Sequence, residues 1–535
     1  MVINLAKTNP QGFEMDGYRN PEHITDAIIY EGSVRDFTMD ESSGVFHNGK
    51  FLGLTEANTT NHFGEATALD YISGLGVTHV QILPAFDFET VDEKNQKAQY
   101  NWGYDPDNYN VPEGSYAVSP YDGAVRIQEM KQMVLALHSR GIGVIMDVVF
   151  NHTYRRDDSN LQKIVPGYYY RSDETGYTNG SGNEVASDRP MVQKLIVDSL
   201  IYWAKEYHID GFRFDLMGVL DIDTMNVIAE RLKEIRPDIY LYGEGWNGGP
   251  SSLAEEKRAF KASAKKMPGI GMFNDDIRDT IKGSVFYDDH LGFVNGGSHL
   301  ENALRYGITG AVAHPQVDYD AYGSKPWAKE PGQSINYVSC HDNYTLWDKL
   351  SVSCPEASEE KKKAMNRLCA AIVFTSQGVP FIQAGEEFLR SKPLPEKKGF
   401  AENSYNMPDA VNSIKWDNIH EYPDMIAYYK GLMALRKAHP VFRMQSEAEM
   451  TQNLCFLSDT PENVVAYLLK GKGADDTPEN ILVIFNGNDE EILYNLPEGK
   501  WKILVDDKTA GADGKKNISE KTDVEPLSAL VLEKE

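Results

Sequence analysis

Apolar and polar positions fall into two textures along this chain. Between residue 27 and residue 388, short runs rich in Val, Ile, Leu, Phe and Tyr alternate with stretches of helical spacing. Continuous apolar runs bounded by glycine or polar residues read as parallel strands buried on both faces. Eight such runs occur: AIIYEGSVRDF (27–37), THVQILPAF (78–86), GVIMDVVFNH (143–152), IDGFRFDLMG (209–218), DIYLYGEGW (238–246), GMFNDDIRD (271–279), SINYVSCHDN (334–343) and VPFIQAGEEF (379–388). Strand and helix alternating eight times predict an α/β fold, a (β/α)8 TIM barrel. A doubly wound open sheet is the alternative. Two junctions reinforce the pattern: a helix closing on Leu75-Gly76 and one closing on Arg140-Gly141 each lead into an apolar strand. Because Gly141-Ile142-Gly143 enters a strand rather than a helix, it is not a dinucleotide loop.

From about residue 445 the spacing changes. LCFLSD, NVVAYLLKG, NILVIFNGN, WKILVDD and LSALVLEKE are short strands with turn residues between them and no helical periodicity, which predicts a C-terminal antiparallel β-sandwich. The expected organisation is a lead-in segment over 1–26, a barrel over 27–440 and a β-sandwich domain over 441–535. A polar, Gly- and Tyr-rich loop excursion at about 153–190 interrupts the barrel.

Composition narrows the partners. A net charge of −27 over 535 residues argues against nucleic acid and anionic membrane, and suits a neutral substrate. The four cysteines, Cys340, Cys354, Cys369 and Cys455, are too scattered for a disulfide framework or a zinc site and fit a reducing compartment. MVINLAKTNPQGF has no apolar signal core. A cytoplasmic monomer without membrane attachment is expected.

Charged residues gather at the C-terminal ends of the strand runs: Asp147, Asn151 and His152; Arg213 and Asp215; Glu244; His341 and Asp342. In a parallel barrel those ends open on one face, where active sites are built. Arg213 and Asp215 are two apart and so point the same way. An arginine beside a carboxylate keeps it ionised and oriented, and an ionised carboxylate is a usable nucleophile. An ion pair that only supports the barrel is the plainer reading of this strand alone. Asp215, Glu244 and Asp342 together suit retaining glycoside hydrolysis, with a working pair about 5–5.5 Å apart. With His152 and His341 they equally suit a magnesium or manganese site. The abundance of Tyr and Trp near the strand ends (Trp102, Tyr104, Trp246, Trp347) favours the sugar chemistry.

DVVFNH (147–152), GFRFDLMG (211–218), GEGW (243–246) and VSCHDN (338–343), in that order, resemble the four strand-end signatures of the α-amylase family of glycoside hydrolases. YNWGYDPDNYNVPEGSY (100–116), GEGW, HDNYTLWDKL (341–350) and the opening TNPQGF…DAIIYEGSVRDF are similar to the type I pullulanase branch of that family. The resemblance implies cleavage of α-1,6 branch bonds in pullulan and limit dextrins, with mixed α-1,4/α-1,6 action or a non-catalytic glucan-binding barrel as alternatives. It implies Asp215 as nucleophile, Glu244 as general acid and base, and Asp342 as transition-state stabiliser. Arg213 would hold Asp215 ionised, and a neighbouring carboxylate and partial desolvation would keep Glu244 protonated. His152 and His341 would hydrogen-bond the reacting sugar, Tyr104 would stack under it, Asp105 would contact the adjoining glucose, and Trp246 would line the branch side.

The upstream carbohydrate-binding modules common in that branch are expected to be missing, and the small residues of GSVRDF have no evident reason. No cofactor is expected. Calcium is the one metal in question, because Asn151 matches a calcium position in some α-amylases; no obligatory metal is expected. Asp221-Ile222-Asp223 reads as a helix start, Glu386-Glu387 as a structural pair, and Asn403, Asn406 and Asn412 as a loop reaching the substrate.

Overall fold

The computed structural model describes residues 2–18, 20–172, 182–322, 325–473 and 478–535. The middle of the expected loop excursion, 173–181, lies outside the described residues.

Each of the eight apolar runs contains a strand. They are β1 Ile29–Gly32, β2 His79–Ile82, β3 Gly143–Val148, β4 Gly211–Phe214, β5 Tyr240–Gly243, β6 Gly271–Phe273, β7 Ser334–Asn336 and β8 Val379–Gln383. They close into a barrel in the order β1-β8-β7-β6-β5-β4-β3-β2, which rules out the open sheet. Every residue of these strands is buried, the reason their sequences read as mostly apolar runs and not as alternating ones. The registers are parallel throughout β1–β2–β3–β4–β5–β6 and between β7 and β8. Helices Ala68–Leu75 and Gly123–Ser139 stop where their glycine signals lie.

GSVRDF now has a reason. A Cβ on Gly32 would lie 2.3 Å from the Phe37 ring, so the chain leaving β1 folds back at a distance only glycine allows. That turn brings Arg35 onto Asp409 through two hydrogen bonds of 2.7 and 2.8 Å.

The C-terminal region forms two antiparallel sheets. They are built from β9 Leu454–Phe456, β10 Val464–Lys472, β11 Pro478–Asn486, β12 Ile492–Asn495, β13 Trp501–Val505, β14 Asn517–Ile518, β15 Lys521–Val524 and β16 Ser528–Lys534. The larger sheet runs β9-β10-β11-β16-β13-β14, and β12 pairs with β15. Val464, Ala466, Leu482, Ile484, Trp501 and Leu532 from the first pack with Tyr494 and Val524 from the second. One expectation fails here: Glu447–Asn453 is helical. Its signal is a capping box, with the Ser446 side chain accepting from the Glu449 N–H at 3.2 Å.

Packing divides the chain into two compact units. One holds 1–22, 29–273 and 404–416; the other holds 23–28, 274–403 and 417–535. The first carries β1–β6, and the second carries β7, β8 and the C-terminal sheets. This cut by packing is a different one from the expected boundary at 440/441. No helix among the described residues is long and apolar enough to cross a membrane.

Candidate active site

In the first unit the site is organised by one arginine. Asp147 on β3 is the register partner of Arg213 on β4, and Arg213 is the partner of Tyr242 on β5. Register partners share a face, so these three side chains point together. Arg213 Nη1 donates to Asp147 Oδ1 at 3.0 Å and to Asp215 Oδ1 at 3.2 Å, and Nη2 donates to Glu244 Oε1 at 2.6 Å. The guanidinium is 2% exposed. Burial works against its charge, but Asp147, Glu244, Tyr104 and Asp215 outweigh that and raise its pKa well above the usual arginine value. Arg213 is therefore not a private partner of Asp215. Its shortest bond is to Glu244.

Asp215 is held from a second side by Asn151, the residue at which the sequence left calcium in question. Asn151 Nδ2 donates to Asp215 Oδ2 at 2.6 Å and to the Asp215 carbonyl at 3.0 Å. Its Oδ1 lies 2.6 Å from His152 Nδ1. The position matched to calcium is thus spent on Asp215 and His152. Burial lowers the His152 pKa, with Asp215 opposing, so the ring is neutral near pH 7.

Glu244 follows β5 in a tight passage. A Cβ on Gly243 would lie 2.5 Å from the Phe214 carbonyl, and one on Gly245 would lie 2.7 Å from the Lys261 nitrogen. The two glycines of GEGW let the chain pass β4 and the 261 segment closely. Glu244 Oε2 accepts the Leu216 N–H at 2.7 Å. Leu216 has φ of 39°, a left-handed conformation costly for a leucine, and that strain aims its amide at the carboxylate. Both Glu244 oxygens thus carry donors.

The aromatic residues sit as follows. Tyr104 donates its O–H to Asp147 Oδ2 at 2.6 Å, and its ring faces the Arg213 guanidinium at 5.6 Å. Burial first, then Asp147, raises its pKa well above the ordinary value. Trp246 is half-buried, 6.5 Å from the Phe273 ring. Asp105 accepts the Thr90 N–H at 2.8 Å through Oδ2, while Oδ1 is buried without a hydrogen-bond partner among the described residues. Burial raises its pKa.

In the second unit, His341 and Asp342 follow β7. His341 is buried, and its Nε2 lies 3.7 Å from Asp342 Oδ2. The Asn343 N–H donates to Asn403 Oδ1 at 3.1 Å. Asn412 departs from expectation: it is fully buried and closes its own loop through Ser404 and Met407, so it is not free to reach a substrate. Asn406 is exposed. Asp221 caps the helix Ile222–Lys233 through the Thr224 N–H at 2.8 Å. Glu386 accepts hydrogen bonds from Ser339 at 2.5 Å and Tyr429 at 3.1 Å, and burial pushes its pKa up to about 7.

The sequence reading passed over a polar interior beneath this site. Gln81 donates to Glu31 at 3.4 Å, and Tyr242 donates to Gln81 at 2.6 Å. Glu31 and Gln81 are register partners on β1 and β2. The signal was available: each interrupts an apolar run at an inward-facing position. Of the two chemistries left open, the magnesium or manganese site on Asp215, Glu244 and Asp342 with His152 and His341 meets a physical objection at Asp215 and Glu244. Arg213 already stands between them, and a second cation there would be repelled. Another acidic group, Asp87, Glu93 and Glu113, is likewise engaged, with Arg126 at 3.1 Å from Asp87 and 2.5 Å from Glu93.

A closed parallel barrel whose strand-end carboxylates are ordered by one buried arginine defines a barrel of the glycosidase type. Residues 51–159 match the alpha amylase catalytic domain family, and residues 451–509 match the pullulanase all-beta domain family. The chain is 42% identical to a pullulanase of Bacillus subtilis over 488 residues, covering 90% of this chain and 66% of that protein. It superposes on the pullulanase from Bacillus acidopullulyticus with a TM-score of 0.93 at 41% identity, covering 100% of this chain and 64% of that one. It superposes on the pullulanase from Paenibacillus barengoltzii, solved in complex with maltohexaose and alpha-cyclodextrin, with a TM-score of 0.92 at 44% identity. There the coverage is 99% of this chain and 81% of that one. The chain thus spans just under two thirds of the first two relatives. It belongs to the α-amylase family, in its pullulanase branch.

Proposed function

We propose that the chain is a retaining hydrolase that cuts α-1,6 bonds in pullulan, limit dextrins and other branched α-glucans. The observation that carries this reading is the shared clamp of Arg213 on Asp215 and Glu244. It orders two carboxylates at adjacent strand ends and gives them different second partners, Asn151 for one and the Leu216 amide for the other. Pairs of carboxylates in unlike settings are what acid and nucleophile roles require.

In this mechanism Asp215 attacks the anomeric carbon while Glu244 gives a proton to the departing glycosidic oxygen. A glycosyl ester forms on Asp215. Glu244, now a base, removes a proton from water, which attacks the same carbon and frees Asp215 with net retention. Asp342 and His341 hold sugar hydroxyls, as does His152. Tyr104 stacks under the reacting ring, Asp105 takes the adjoining glucose, and Trp246 lines the branch side. The chain works as a cytoplasmic monomer on soluble dextrins; its four free cysteines fit a reducing compartment, and its net charge of −27 fits a neutral substrate. Residues 441–535 serve as its C-terminal domain.

Digestion of pullulan, with the products separated, tests the proposal. Maltotriose as the sole product is expected. Panose or isopanose would show α-1,4 cleavage and replace the reading with the mixed-action one. Binding of maltotriose without turnover, in a chain whose Asp215→Ala variant behaves identically, would reduce it to a glucan-binding barrel.

A further inference from the structure

We propose that His439, Glu479 and Glu533 form a binding site for one divalent transition-metal ion of the zinc class. The inference stands apart from the glucan chemistry and lies wholly within the second unit.

The fold places the three donors from separate elements. His439 ends the helix Pro423–Ala438, where its backbone N–H donates to the Leu435 carbonyl at 3.1 Å and the chain turns into Pro440–Phe442. Glu479 lies on β11 and Glu533 on β16. These strands are antiparallel neighbours, with Ile481 opposite Glu533. Glu479 is two residues from Ile481, so both carboxylates stand on one face, diagonally across the pair. The helix end brings the imidazole over that face. One ligand atom from each residue lies within 4.8 Å of the others.

Two buried atoms of the cluster are left unanswered. Glu479 meets the histidine through Oε1, while its Oε2 has no hydrogen-bond partner among the described residues, and neither has His439 Nε2. His439 is 6% exposed and Glu479 is 7% exposed, so water does not freely compensate them. A histidine hydrogen-bonded to a glutamate would be a sufficient structural contact if the remaining atoms were satisfied, and they are not. An ion held between His439 Nδ1 and the two carboxylates answers the deficit at Glu479 Oε2. Lys502 Nζ, 3.9 Å from Glu533 Oε2, is a loose surface partner that gives way readily.

The donor set selects the ion. One imidazole nitrogen with two carboxylate oxygens suits zinc, with water in the fourth position, better than it suits calcium or magnesium, which prefer all-oxygen shells. Ligands from a helix end and two strands, the first two 40 residues apart in sequence, do not preassemble in an unfolded chain. Binding therefore stabilises the folded form.

The test uses the full chain stripped with chelator and titrated with zinc, followed by thermal melting and calorimetry. One ion per chain and a raised melting temperature are expected. Glu533→Gln, a change at a partly exposed position that leaves the fold intact, should lose the zinc-dependent rise, and His439→Gln should lose it too. Cobalt in place of zinc should give a visible spectrum without a thiolate charge-transfer band, since no cysteine belongs to the site. An unmoved melting temperature in the parent chain would overturn the proposal. So would a zinc-dependent rise that survives in both variants, or a thiolate band placing the metal on the cysteines.

Discussion

Replacing Arg213 with lysine isolates what its geometry does, because the charge stays and only the fork is lost. The guanidinium reaches Asp147, Asp215 and Glu244 at 3.0, 3.2 and 2.6 Å from two nitrogens. A single ammonium on a shorter reach cannot span all three. Each charge-assisted hydrogen bond contributes about 1.5–3 kcal/mol. Losing one that persists while charge develops on the sugar should lower kcat about 10- to 150-fold. KM should move less, because these bonds order the carboxylates rather than grip the glucan. Arg213→Met removes the charge as well and leaves three acids without their shared cation, so it should destabilise the fold by about 3–5 kcal/mol. The assay is reducing-end release from pullulan across substrate concentration, paired with thermal melting of each variant. An Arg213→Lys enzyme with parental kcat would refute the reasoning. A kcat loss that merely tracked the fraction unfolded would refute it equally.

Three further outcomes follow from the same contacts. Asn151→Ala removes the amide on Asp215 Oδ2; kcat on pullulan should fall about 10- to 100-fold, and a parental rate would show that Arg213 alone positions Asp215. His138 is buried, with its ring nitrogens 2.6 Å from Asp16 and 2.7 Å from Asp210. Burial opposes its charge, the two hydrogen bonds outweigh burial, and its pKa rises from 6.5 to about 9. A raised folded pKa gives stability that is full below 6.5 and lost as pH climbs through 9. Melting temperature should therefore fall across that window by the equivalent of about 3 kcal/mol, and a parent profile no steeper than that of His138→Gln would contradict this. Gly431→Ala gains about 1 kcal/mol of helix propensity, yet its Cβ would lie 2.1 Å from the Ala510 carbonyl oxygen. Overpacking costs about 1–3 kcal/mol, so the variant should melt lower; a higher melting temperature would show that the 510 turn yields.

The barrel was legible because its strands are buried on both faces, so period and burial coincide and all eight runs contain a strand. Arg213 and Asp215 were legible through their spacing, and Glu244 through its place at a strand end. What hid the rest was the question of which atom faces which neighbour. Asn151 could not be read as the support of Asp215 from one chain position, because its partner lies 64 residues away. The expected private pair of Arg213 and Asp215 became a three-way clamp because Asp147 is in register with Arg213, and register is a property of strand pairing. Asn412 looked available because it sits in a polar loop, but that loop consumes its side chain internally. The helix Glu447–Asn453 was missed for a different reason: seven residues are too few to establish a period, and only its cap gives it away.

Two buried cations between carboxylates in the first unit, Arg213 and His138, lie at opposite ends of the parallel strands, and they answer pH differently. Arg213 stands at the C-terminal ends and does not titrate below the alkaline extreme. His138, with Asp16 and Asp210, stands at the N-terminal ends, where Asp210 also accepts the Val144 N–H at 2.7 Å. Its charge fades by about pH 9. The order of the Asp147, Asp215 and Glu244 cluster is thus fixed across the range in which the opposite end loosens. Alkaline conditions weaken the strands that carry the site before they change the charge of the arginine within it. Activity lost on that side should therefore return with refolding at lower pH, because the clamp that arranges the carboxylates is re-formed by the register of β3 with β4 and not by any titration of its own.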